Sequence, residues 1–104
     1  MLVKLNGSEK QIVWANEIRD KRLTEIAERR ESENHTIERW SQKLPSDKWA
    51  ASIERHKANL VELDNYEQYV RSISNAAYFI ANRDYNLDFL LIQYRATQKR
   101  NKKL

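Results

Sequence analysis

Apolar residues recur along the chain at helical spacing. Ile12, Ala15, Ile18, Leu23 and Ile26 fall on one face at 100° per residue, with Val13, Trp14 and Ala27 widening it. Ser8 stands three residues before Gln11, the spacing at which a hydroxyl and an amide cap a helix start reciprocally, and Glu9 favours the positive end of the helix dipole. A long first helix is therefore expected from Ser8 to somewhere in Arg29–Glu33, with the polar run SENH, Ser32 to His35, as a joint. Thr36 then caps a short helix presenting Ile37, Trp40 and Leu44, and Pro45 stops it. A third helix, capped by Ser46 or Asp47, shows Trp49, Ile53, His56, Leu60 and Leu63 on one stripe, which breaks near Asp64-Asn65. The most regular stripe follows: Tyr66, Tyr69, Val70, Ile73, Ala77 and Ile80 predict a fourth helix, which Ser74-Asn75 would divide if it caps AAYFIANR. Asn82 to Asn86 reads as a loop. Leu87, Leu90, Leu91 and Tyr94 form the last helix, with Phe89 and Ile92 widening its buried face before it dissolves into a basic tail. Ahead of all this, Met1 to Leu5 alternates weakly and Asn6-Gly7 marks a turn.

These elements describe an all-α protein, a single small bundle of four to five helices. Composition agrees, since 104 residues contain one Gly and one Pro, too few for a turn-rich β fold. The domain division expected is a helical body over residues 1–94 and a basic C-terminal tail over 95–104. Charge makes that division visible: five of the 19 Lys and Arg, but none of the 15 Asp and Glu, lie beyond residue 94. The net charge of +4 is thus a property of the tail rather than the body. Arg95, Lys99, Arg100, Lys102 and Lys103 are the candidate nucleic-acid contacts, with Arg29, Arg30, Arg39 and Lys43 as supporting cations; a solvated, solubilising end is the alternative.

Other chemistry is thinly represented. The absence of Cys excludes disulfides, thiolate metal sites and cysteine nucleophiles, and suits the cytoplasm. The longest apolar runs, AAYFIA and FLLI, fall far short of a membrane span. His56 has no second ligand at i+3 or i+4 and His35 falls in the expected joint, so no metal is expected. The lone Gly cannot build a phosphate loop, no serine elbow or dinucleotide fingerprint occurs, and Glu62, Asp64 and Glu67 cluster only along the sequence. No enzyme activity and no cofactor is expected. Aromatic residues occur on every helix, mostly on inward stripes. Trp14, Tyr78 and Tyr85 lie off the stripe or in the loop and are the candidate partner surface.

Two segments, GSEKQIVWANEIR (Gly7 to Arg19) and NAAYFIANRD (Asn75 to Asp84), resemble a small domain of uncharacterised bacterial and phage or mobile-element proteins. In that domain a G-[S/T]-E-K-Q-x-x-W-A-x-x-I-R start precedes an aromatic A-x-[Y/W/F]-[W/F]-I-x-N-R segment. The resemblance implies relatedness and carries no activity, cofactor or site residue with it. Within the matching segments Arg19 shares the inward face with Ile12, Ala15 and Ile26, and Arg83 ends the second; both are expected to tie helix ends together. The expectation is a non-enzymatic binding protein, most simply a protein-interaction module, accessory or inhibitor, of a phage or mobile element. Nucleic-acid binding through the tail is the alternative. Homo-oligomerisation is compatible with either.

Overall fold

A computed structural model describes residues 2–42 and 47–102. Its order is α1 (Glu9–Ser41), α2 (Asp47–Ser72), α3 (Ala76–Ala81) and α4 (Leu87–Lys102), an all-α bundle of four helices. At 1.5 Å per residue the 33 residues of α1 span about 50 Å, and α1 accordingly sets the long axis of a molecule measuring 56 × 32 × 24 Å. The radius of gyration of 16.6 Å exceeds the roughly 13 Å of a compact chain this long. Helix α2 returns antiparallel to α1 as a long hairpin, and α3 and α4 cover only one end of it. At that end sits the core: Leu5, Ala15, Ile26, Leu63, Tyr66, Val70, Ala76, Phe79, Leu87, Leu90 and Leu91 are all buried.

The start of α1 is the expected capping box, with Gln11 N donating to Ser8 Oγ at 3.2 Å and Ser8 N to Gln11 Oε1 at 3.0 Å. Its inward face carries Ile12, Ala15, Ile18, Leu23 and Ile26 as read from the sequence. Val13, Trp14 and Ala27 do not widen that face; they are exposed.

The expected joint at Ser32 to His35 is not a joint, since α1 runs through it to Ser41. The inward stripe continues past Ile26 as Arg30, Glu33, Ile37 and Trp40, and its two polar members are satisfied from α2. Arg30 donates to Asp64 at 3.1 Å and to Glu67 at 2.5 Å. Glu33 faces His56 Nδ1 at 2.5 Å and accepts from Asn59 at 3.4 Å. The apolar signal therefore fades where the helix does not. Thr36 caps nothing; its hydroxyl donates back to Ser32 O within the same helix, at 3.0 Å. Pro45 and Ser46, expected to stop one helix and cap the next, lie outside the described residues, as do Lys43 and Lys103.

The break at Asp64-Asn65 is likewise absent. Both residues are exposed, Asp64 at the edge that meets Arg30 of α1, while Leu63, Tyr66 and Val70 continue the stripe of Ile53, His56 and Leu60 in phase. The real interruption falls inside the most regular stripe. Helix α2 ends at Ser72, and the N-terminal segment runs beside the linker to α3: Val3 N donates to Arg71 O, Asn6 N to Ser74 O, and Ala76 N to Asn6 O, at 3.2, 2.6 and 3.0 Å. Asn6 and Asn75 form an isolated parallel bridge. Asn75 caps α3 through Ala77 N at 3.0 Å, as the Ser74-Asn75 signal allowed. Gly7 is required at this crossing. Its φ is +155°, and a Cβ there would stand 3.1 Å from the Cβ of Ala76 and 2.9 Å from Gln11 Oε1.

After the expected loop at 82–86, Asn86 Oδ1 accepts from Phe89 N at 2.8 Å and opens α4. Leu87, Leu90 and Leu91 are buried and Tyr94 is half-buried, but Phe89 and Ile92 point outward. The helix does not dissolve at Arg95; it continues to Lys102.

Candidate functional site

The arginines of the two matching segments divide their roles. Arg19 is buried and donates to Val3 O at 2.8 Å and Asn16 Oδ1 at 2.7 Å, so it fastens the N-terminal segment to α1. Its Nε has no protein partner. Arg83 is exposed; its guanidinium lies 5.0 Å from the Trp14 ring centroid, and Nη1 donates to Ile80 O at 2.6 Å. The residue that ties the end of α3 to α1 is instead Arg22, which sequence reasoning missed. Buried at 5% exposure, Arg22 donates through Nη2 to both Asn82 O and Arg83 O at 2.9 Å and pairs with Glu25 through Nη1 at 3.2 Å. The signal was available: Arg22 sits three residues after Arg19 and four before Ile26, on the inward face.

The three candidate surface aromatics separate. Trp14 is 45% exposed beneath Arg83, and Tyr85 is 43% exposed and stacked on Phe89 with centroids 4.6 Å apart. Tyr78 is half-buried instead, edge-on to Tyr69 and Phe79 at 6.5 and 5.5 Å. Burial, reinforced by Tyr69, pushes its phenol up to about 12, and burial likewise raises that of Tyr66. The α3–α4 loop thus carries Arg83 to Trp14 and Tyr85 to Phe89. Val13, beside Trp14 in sequence, adds a 62% exposed aliphatic group.

The cationic residues separate too. Arg29 bonds Asp88 at 2.8 Å and holds that carboxyl below the usual carboxylate range. Hydrogen bonds from Arg30 and Arg71 do the same for Glu67. Arg95 is engaged by both oxygens of Glu62, at 2.6 and 2.5 Å, which raises the guanidinium's affinity for its proton. Lys99, Arg100 and Arg39 are exposed, and Lys102 closes the described part of α4.

His56 is enclosed by Glu33 and by the Trp40 ring, 5.4 Å away edge-on, whereas His35 is exposed. Among the described residues no three His, Cys, Asp or Glu side chains are grouped to hold a metal ion, and no helix is long and apolar enough to cross a membrane. We found no match between the chain and any protein-family profile, curated protein or solved structure.

Proposed function

We propose that this protein is a non-enzymatic, cytoplasmic protein-interaction module, acting as an accessory or inhibitor of a phage or mobile element. The observation that carries the reading is the set of large apolar side chains left outside a complete core. Val13, Trp14, Tyr85 and Phe89 are each exposed by 40% or more, and the last three are aromatic anchors of the type that dominates protein interfaces. Arg83 on Trp14 adds a cation that can reach a partner carboxylate. The resemblance of Gly7 to Arg19 and Asn75 to Asp84 to mobile-element proteins supports the biological setting, and both segments contribute to this surface through Trp14 and Arg83.

Nucleic-acid binding is the second reading, favoured by an α4 in which Arg95, Lys99, Arg100 and Lys102 follow Asp88 without an acid between them. The bidentate Glu62 pairing reduces what Arg95 has to offer phosphate.

Two double variants separate the readings. Trp14→Ala/Tyr85→Ala should abolish capture of a protein from host extract and reduce the purified pair's affinity at least tenfold. Lys99→Glu/Arg100→Glu should leave it intact. Capture of nucleic acid, lost only in the charge variant and steeply weakened by salt, would replace the first reading with the second.

A further inference from the structure

Helix α4 packs unevenly along its length. Its first half is packed: Asp88 reaches Arg29 of α1, Leu91 joins Leu63 in the core, and Tyr94 stacks with Tyr66 and Tyr69 at 5.4 and 5.2 Å. Arg95 on Glu62 is the last described tie to α2. From Ala96 to Arg100 no residue is buried, and only Gln98 is partly covered. The second half of α4 therefore overhangs α2, and between them lies an open groove of about 860 Å³.

The groove has an amphipathic lining. Val61 of α2 and Ile92 of α4 line it at 61% and 58% exposure, with Ala96 beside them. They are aliphatic groups that the core does not use. Lys99 lines the groove and Arg100 follows it in sequence, both exposed, and the groove's one carboxylate, Glu62, is already neutralised by Arg95.

We propose that this groove docks an acidic amphipathic helix of a partner protein, its apolar stripe on Val61 and Ile92 and its carboxylates toward Lys99 and Arg100. Charge complementarity selects this occupant. Phosphate would pair with the cations but leave Val61 and Ile92 in water. A second copy of the chain would bring its exposed Val13 and Trp14 with Glu9 and Glu17 balanced by Lys10 and Arg83, a face with no net negative charge to meet Lys99 and Arg100. A short helical overhang with no buried residue from Ala96 to Arg100 is also marginal by itself, so an occupant that packs on it gains from stabilising it. The proposal rests on the protein-interaction reading but uses a surface separate from Trp14 and Tyr85.

The probes are a labelled amphipathic peptide of about 18 residues built from Leu and Glu, its Leu/Lys counterpart, and a short DNA duplex of similar length. They are titrated into the full chain by fluorescence anisotropy, with methyl NMR of Val61 and Ile92. The acidic peptide should bind, shift both methyl signals and lose at least tenfold in affinity in Val61→Asp/Ile92→Asp; the basic peptide should not bind. Both positions are exposed, so helicity by circular dichroism should be unchanged in the variant. Equal binding of both peptides, binding indifferent to the double variant, or preference for the duplex without methyl shifts would overturn the proposal. So would a wild-type dimer in sedimentation that the double variant disperses. A failed titration with intact Trp14-dependent capture would discard the groove and leave the protein-interaction reading standing.

Discussion

Replacing Arg22 by Leu tests the account of how α3 is held. The substitution keeps an aliphatic stem on the inward face and removes the guanidinium, which serves the carbonyls of Asn82 and Arg83 at 2.9 Å each and pairs with Glu25. Hydrogen bonds from a charged donor contribute about 1.5–3 kcal/mol apiece, and two from one nitrogen are not additive. Asn82 is partly exposed and Arg83 exposed, so their freed carbonyls can regain water, and Glu25 is exposed enough to do the same. The expected loss is about 2–4 kcal/mol, a large share of the roughly 5–15 kcal/mol that stabilises a domain of this size. Urea unfolding followed at 222 nm should show a lower midpoint at unchanged slope, and amide exchange should accelerate first in residues 82–86. Arg83→Leu removes only an exposed contact to Trp14 and a local bond to Ile80 O, and should cost below about 1 kcal/mol. If Arg22→Leu falls below about 0.5 kcal/mol, or if Arg83→Leu costs more, the assignment of Arg22 as the tie is wrong.

Gly7→Ala should destabilise by about 1–3 kcal/mol, because φ +155° is strained for an L side chain and the new Cβ meets Ala76; thermal unfolding at a normal midpoint would contradict it. The Glu67 carboxyl is depressed by Arg30 and Arg71, so its contribution is present above the unfolded value near 4.3 and is lost as pH falls through the folded one. Urea titrations from about pH 6 to 3 should show a steeper acid loss in wild type than in Glu67→Gln, and parallel curves would refute the coupling. Tyr66 and Tyr78 have raised phenol values, so the stability they confer is full below about 10 and declines as pH rises above it. Tyr78→Phe should flatten that alkaline decline, and an unchanged slope would count against burial of the Tyr78 hydroxyl.

The all-α class and the first cap were legible because they depend on neighbours within a turn: Ser8 with Gln11, Asn75 with Ala77, and Leu87, Leu90 and Leu91 at helical spacing. The inward lean of Arg19 could be read the same way, from phase alone. Of the surface, Trp14 and Tyr85 were legible as aromatics out of register, while Val61 and Ile92 carried no such mark. What the chain could not disclose locally was where helices end. Glu33 and Arg30 interrupt the apolar pattern of α1, yet His56, Asn59, Asp64 and Glu67, between 23 and 37 residues away, satisfy them and let the helix continue. Conversely, Tyr66 to Ile80 keeps perfect helical phase, but the backbone of Ser74 and Ala76 bonds to Asn6 instead of completing the helix. A periodic pattern records which face a residue prefers. Whether its backbone and polar groups find partners within the helix or far along the chain is decided only when the tertiary structure brings those partners near.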